Sequence, residues 1–484
     1  MTERVAIMGA AGRDFHDFNV RFRGAPPAER VVAFTRAPGQ NLGEAESGDP
    51  GGTENGDPGG TGNGDPGETE NGETADRPCY PPGLAGPGYG EGIPVVPESE
   101  LEAVVTGAHP AVPDAGADRV VFSYSDVSHE AVMHAASRAL AAGADFELLG
   151  PETMQVALDT PVLAVDAVRT GCGKSSIARG LADALDARGA DVAVVREPMP
   201  YGDLLDERAE RFATPADLDA ADLTLEEREE YAWHVEAGHP VHAGVDYEAV
   251  LANAAAEADV IVWDGGNNEL PFAVPDVHLV LTDPTRPGHE LRYHPGEANL
   301  RAADAVCLTK LAAAEPEGIA TVEENVRETV PEEAPVLRAE SVVSVPDPGR
   351  IEGARVLVIE DGPTVTHGDA AHGAATVAAR RYGAAECVDP EPAAVGSVAE
   401  TLAEYDHLDR VLPAMGYTDA QVAELEATVG GCDADLVLAG TPCDVSRVLD
   451  VDAPVVDVDY RFDPVGWSFE KFVADRAGAL GLTE

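Results

Sequence analysis

Gly171-Cys172-Gly173-Lys174-Ser175-Ser176 is the stretch whose residue types and spacing most directly imply chemistry. Two glycines let the backbone curl until successive N–H groups face one point, and a lysine and two hydroxyls follow at once. Such a set suits a triphosphate. Backbone amides and the start of a helix attract the anion. Lys174 reaches the β- and γ-phosphates, and Ser175 offers its hydroxyl to Mg²⁺. The flanks agree: residues 162–165 read as a buried parallel strand, and Ile177, Leu181 and Leu185 recur at helical spacing. The common G-x-x-x-x-G-K-[ST] pattern would need glycine at Val168. The spacing fits the longer form instead, with Ala167 in the first-glycine place and Arg169 and Gly171 before the Gly-Lys pair. Arg169 therefore joins Lys174 as a candidate catalytic cation.

A phosphate-bound metal also needs a carboxylate on a neighbouring strand. Residues 260–266, VIVWDGG, supply a buried-strand pattern ending in Asp264, so Ser175 and Asp264 are the expected metal ligands. Another strand ends in Thr309-Lys310, placed to pack on a nucleotide base. Ala312 stands where an aspartate would read guanine. ATP with Mg²⁺ is the expected pair, GTP the alternative nucleotide, and K⁺ an additional ion. Arg286, His289, Arg292, His294 and Arg301 gather within sixteen residues of a chain poor in cations. Charge-assisted hydrogen bonds from them would suit a small anionic, phosphorylated substrate. Salt bridging to the many carboxylates is the structural alternative.

The fold class that positions these residues is α/β and multidomain. An N-terminal Rossmann-like domain is expected over residues 1–155, a central P-loop NTPase domain with a mainly parallel sheet over 156–346, and a C-terminal α/β domain over 347–484. In the first, a strand at 4–10 runs into Gly9-Ala10-Ala11-Gly12, but Phe15 occupies the third glycine place of a dinucleotide fingerprint. The loop is then expected to present Arg13, Asp14 and His16 to a neighbouring site. Residues 44–77 repeat NGDPGGT-like units without apolar content and read as a disordered acidic insertion. Ser125, Asp126 and His129 follow a strand, as ligands or as helix caps. The next helix, near 130–142, is expected to carry Met133 and Leu140 inward. Glu226, Glu227, Glu229 and Glu230 read as a solvated helix face. His234, His239 and His242 lack metal-ligand spacing and read as a phosphate-contacting or structural loop. Asp361, Thr366 and His367 form a further post-strand loop.

Composition limits the partners. Lys+Arg number 32 against 88 Asp+Glu, a formal net charge of -56. The carboxylates are spread through every segment, a halophilic pattern fitted to molar salt, where the Debye length is about 3 Å. Nucleic acid and anionic membranes are excluded as non-specific partners. Lysine occurs only at Lys174, Lys310 and Lys471, so two of the three fall on nucleotide-motif positions. Six cysteines show no C-x-x-C spacing. With no signal peptide or bilayer-length apolar run, a soluble cytoplasmic protein is expected, and homodimerisation is left open.

IMGAAGRDFHDFN, FSYSDVSHE, AVRTGCGKSS, EPMPYGD, WDGGNNE, GHELRYHPGE and EDGPTVTHG together resemble the cyclic 2,3-diphosphoglycerate synthetase family and related predicted P-loop GTPases. The likeness spans nearly the whole chain except residues 44–77. Glu197, where relatives tend to carry histidine, and Leu311-Ala312 depart from the pattern. The resemblance implies an ATP-dependent ligase closing 2,3-diphosphoglycerate into an intramolecular phosphoanhydride. A regulatory or chaperone-type GTPase acting on a protein partner is the alternative, and a dinucleotide-binding module a third.

Overall fold

The computed structural model describes residues 2–10, 12–24, 28–37, 78–112, 116–197, 203–221, 223, 225–266, 269–360, 365–366, 372–405, 407–408, 410–414, 419–441, 445, 449–451 and 453–482. The acidic insertion, Asp361 and His367 lie outside them. The chain divides into two compact units. Unit 1 comprises Met1–Val156, Glu197–Glu210 and Ala243–Val250; unit 2 comprises Ala157–Arg196, Arg211–His242 and Leu251–Glu484.

Unit 1 is built from β1 (Glu3–Met8), α1 (Arg13–Arg21), β2 (Glu29–Arg36), β3 (Cys79–Tyr80), β4 (Ile93–Pro97), α2 (Leu101–Thr106), β5 (Arg119–Phe122), α3 (His129–Ala142) and β6 (Asp145–Glu147). The sheet order is β3-β4-β2-β1-β5-β6, with only the β3–β4 pair antiparallel. Alternation along β1 sends Val5 and Ile7 to one face and Ala6 and Met8 to the other. Phe15, Phe18, Phe34 and Tyr80 fill the first face, and the Phe15 and Tyr80 rings stack at 4.6 Å.

The linear reading left residues 197–210 and 243–250 with the P-loop domain. They belong to unit 1 because Leu204 and Val245 share its core, Asn19 donates to the Val245 carbonyl at 3.3 Å, and Arg23 pairs with Asp246 at 2.7 Å. A second correction concerns α3. Met133 and Leu140 are 60% and 58% exposed, not inward. The buried stripe is Val132, Ala135, Ala136 and Ala139, a clean helical repeat of small residues.

Unit 2 begins with β7 (Val162–Ala167), α4 (Lys174–Asp186), β8 (Val192–Arg196), β9 (Glu210–Phe212), α5 (Leu225–Glu236), β10 (Val241–Ala243), β11 (Val260–Asp264) and β12 (Val277–Thr282). It continues through α6 (Gly296–Ala302), β13 (Ala305–Leu308), α7 (Pro316–Thr329) and β14 (Val336–Ser344). These strands form a nine-stranded sheet ordered β9-β10-β8-β11-β7-β12-β13-β14-β20, where β20 is Asp459–Pro464. From β10 to β14 all neighbours are parallel. Strands β7, β8, β11, β12 and β13 are buried along their whole lengths, which is why they read as continuous apolar runs. The edge strand β14 is covered by the antiparallel β20.

Residues 347–458 carry a separate five-stranded sheet: β15 (Arg355–Glu360), β16 (Glu386–Cys387), β17 (Leu412–Pro413), β18 (Leu436–Gly440) and β19 (Val455–Asp457), in order β16-β15-β18-β19 with β17 also on β15. This third stretch is not an independent tail, since β20 follows it back into the nine-stranded sheet. No helix among the described residues is long and apolar enough to cross a membrane.

The face assignment of α3 has a simple test. Met133→Glu and Leu140→Lys should change stability by no more than about 0.5 kcal/mol, whereas Ala139→Asp should cost more than about 2 kcal/mol, read from urea unfolding midpoints. Equal costs at the three positions would contradict the orientation.

Candidate functional site

The central strand β7 lies between β11 and β12, and the loop leaving its carboxyl end is the one singled out by sequence. Gly171 and Gly173 take φ of +77° and +95°, which side-chain-bearing residues rarely adopt, and α4 starts at Lys174. A Cβ on Gly173 would also lie 2.1 Å from the Phe462 ring of β20. The loop is tied on several sides. The Val168 amide donates to the Leu281 carbonyl at 3.0 Å, Thr309 Oγ1 to the Cys172 carbonyl at 2.8 Å, and Arg286 to the Thr170 carbonyl at 2.8 Å. Ser176 Oγ accepts from the Phe462 amide at 2.9 Å. Lys174 is 9% exposed at the helix start, among amides whose dipoles favour an anion.

At the ends of the adjacent strands β8 and β11, register places Arg196 beside Asp264. Arg196 Nη1 donates to Asp264 Oδ2 at 2.5 Å and to Ser175 Oγ at 3.0 Å, while Nη2 meets Glu230 at 2.6 Å. His234 Nε2 lies 3.0 Å from the same Asp264 oxygen. Burial would raise the Asp264 pKa, but the Arg196 charge and the His234 contact outweigh it and hold the carboxyl well below the usual range. Burial lowers the pKa of His234 despite Asp264. A proton on Nε2 faces the acceptor-only carboxylate.

Asp264 Oδ1 is buried without a hydrogen-bond partner. That orphaned acceptor is what a divalent cation would satisfy, so Asp264 fits Mg²⁺, while the expected second ligand, Ser175, already accepts from Arg196. The three histidines do not converge: His234 meets Asp264, His239 meets Asp183 and His242 meets Glu257. No group of three or more potential metal-ligating side chains gathers among the described residues.

The basic cluster separates. Arg169 is 3% exposed, lies over the Tyr293 ring at 3.7 Å and meets His289 at 3.0 Å. Arg286 and Lys310 converge on Asp283 at 3.0 and 3.2 Å. Burial would raise the Asp283 pKa, yet Lys310 and Arg286 bring it down to about 2. His294 is half-buried beside Tyr293. Arg292 and Arg301 are exposed, and Arg301 pairs with Glu297 at 2.5 Å. Thr309 and Lys310, expected on the base, commit their polar atoms to the loop and to Asp283. Glu230, read as solvated, is the partner of Arg196, and Glu227 is buried. Sequence reading did not pair Arg196 or His234 with Asp264, nor Glu230 with Arg196. Their signal was a strand-end arginine level with Asp264 and an i, i+4 Glu–His pair on α5.

A buried parallel sheet, a glycine loop opening a lysine-headed helix and an acidic end to the neighbouring strand define a P-loop NTPase fold. No family model matches the chain. The arginine synthetase ArcE of Thermococcus kodakarensis is 48% identical over 464 residues, covering 96% of this chain and 94% of that protein. The chain belongs to the family of that synthetase. Solved structures give weaker likenesses. LpxK from Aquifex aeolicus, in complex with ATP, has 14% identity and a TM-score of 0.39 over 67% of this chain and 90% of that one. Cobyrinic acid a,c-diamide synthase from Mycobacterium smegmatis has 17% identity and a TM-score of 0.18 over 37% and 72%.

Removing the Arg196 guanidinium should leave Asp264 charged and buried with the His234 contact alone. Arg196→Ala is expected to lower folding stability by about 3 kcal/mol. Arg196→Lys should recover part of this, since an ammonium cannot span three acceptors as the planar fork does. Urea denaturation reads both, and an unchanged midpoint for the alanine variant would contradict the clamp.

Proposed function

We propose that the protein is an ATP-dependent synthetase, a ligase that activates an acceptor oxygen with ATP and lets a nitrogen nucleophile displace it, with arginine on the product side as in the name of its relative. The observation that carries the reading is Asp264 Oδ1, a buried orphan acceptor at the end of the strand beside that of the Lys174 loop, in a chain nearly half identical to a synthetase. Chemically, the acceptor oxygen attacks the γ-phosphorus and the bond to the β,γ-bridging oxygen breaks, giving ADP. The amine then attacks the activated carbon, phosphate leaves, and the nitrogen gives up a proton. Lys174 and the loop amides hold the triphosphate, and Arg169 and Arg196 add positive charge near the reacting phosphate. Ser175 and Asp264 would hold Mg²⁺, which supplies charge neutralisation at the phosphates when bound. Adenine is the base favoured, in keeping with Ala312.

A second reading is ATP-dependent closure of 2,3-diphosphoglycerate. Arg169, Arg286 and His289 near the loop favour it, but existing contacts to Tyr293 and Asp283 already engage the first two.

Run in reverse, a synthetase makes ATP from its products. Protein with L-arginine, ADP, phosphate and Mg²⁺ should generate ATP, followed by luminescence, and Lys174→Ala should abolish it. A cyclic product seen by ³¹P NMR with ATP and 2,3-diphosphoglycerate, with no arginine-dependent ATP, would replace the first reading by the second.

The charge of -56 supports adaptation to molar salt. The thermal midpoint should climb between about 0.1 M and about 2 M KCl as self-repulsion is screened. A flat profile would count against it.

A further inference from the structure

Unit 1 contains a buried charge pair that the nucleotide chemistry does not use. Arg13, the first residue of the nine-residue helix α1, is 2% exposed. Its Nε, Nη1 and Nη2 are all buried without a hydrogen-bond partner. Its ion pair is a loose one, Nε to Asp17 Oδ2 at 3.7 Å. Asp17 is fully buried; Oδ2 accepts from Ser123 Oγ at 2.7 Å, and Oδ1 has no partner. A guanidinium is costly to enclose without hydrogen bonds, and so is a carboxylate oxygen. Here the two costs stand side by side.

Their place in the sheet is informative. From β1 the chain proceeds to β2 on one side, and later to β5 on the other, so the order reverses between β1 and β5. Ser123 directly follows β5, and its amide donates to the carbonyl of Met8 at the end of β1, at 3.0 Å. Arg13, Asp17 and Ser123 therefore meet at the carboxyl ends of the two strands that flank the topological switch point, where open α/β sheets bind ligands. The helix amides are not the attraction. Asp14 Oδ1 already accepts from the amides of Gly12 and Phe15 at 3.2 and 2.8 Å.

We infer that Arg13 and Asp17 form a binding site for the α-carboxylate and α-ammonium of an amino acid. The planar guanidinium presents a fork that matches a carboxylate, and Asp17 Oδ1 is the neighbouring acceptor an ammonium needs. Donor and acceptor balance decides between this and a phosphate. A zwitterion offers acceptors to the unpartnered guanidinium nitrogens and donors to Asp17 Oδ1, whereas a fully ionised phosphate offers acceptors alone. The atoms are closed to solvent, so the ligand reaches them only as the surrounding segments part. The identity of the amino acid as arginine rests on the proposed function; the site itself does not.

Calorimetric titration of the full chain separates the two. L-arginine should bind, while agmatine, which keeps the guanidine but lacks the carboxylate, should bind at least about tenfold more weakly. Arg13→Met should cost L-arginine at least about tenfold, and Arg13→Lys less, with affinity for an ATP analogue unchanged and melting curves confirming the fold. The agmatine comparison needs no variant and stands if Arg13→Met fails to fold. Equal binding of L-arginine and agmatine, phosphate binding that Arg13→Met weakens while amino acid binding stays unchanged, or no amino acid binding at all would overturn the inference. If another α-amino acid binds through Arg13 and L-arginine does not, the site is upheld and the arginine reading of the function falls.

Discussion

A guanidinium enclosed between carboxylates from two different elements is the constraint on which the nucleotide site rests. Arg196 comes from the end of β8, Asp264 from the end of β11 and Glu230 from α5, and the same guanidinium reaches Ser175 at the start of α4. Four elements are thereby fixed to one planar group with a set donor geometry. None of the members tolerates desolvation alone, so the arrangement holds together or fails together. It also keeps Asp264 ionised with one oxygen uncommitted, the condition for receiving a cation next to the phosphate loop.

Much of this was legible in the sequence, and the reasons for the rest are physical. Gly171 and Gly173 were readable because a tight loop with positive φ leaves few residue choices, and 260–263 because a strand buried on both faces is apolar. Arg196 was readable as a strand-end residue but not as the partner of Asp264, since parallel pairing of β8 with β11 is set by crossover topology, not by local pattern. Glu230 and His234 were obscured by an acidic composition in which one functional carboxylate looks like its solvated neighbours. Met133 and Leu140 misled for another reason. Size suggested burial, while the inward stripe of α3 is Val132, Ala135, Ala136 and Ala139. The excursions 197–210 and 243–250 into unit 1 depend on contacts such as Arg23 with Asp246, far apart in sequence and invisible to a linear boundary.

In a chain with 88 acidic and 32 basic side chains, the placement of cations carries unusual information. Several sit in defined networks: buried Arg196 with Asp264, and half-buried Arg286 and Lys310 with Asp283. Arg13 departs from that rule, and the departure is chemical rather than positional, because an acid is nearby yet not engaged at hydrogen-bond distance.

The antiparallel strand β20 has a consequence for how the molecule comes into being. Its Phe462 covers Gly173 and bonds Ser176, a partner 286 positions earlier. As the polypeptide leaves the ribosome, the phosphate loop emerges early yet lacks one wall until the final strand of its sheet arrives. The nucleotide cradle is thus finished last, so that incomplete chains pass through a stage in which the lysine is made but its enclosure is not.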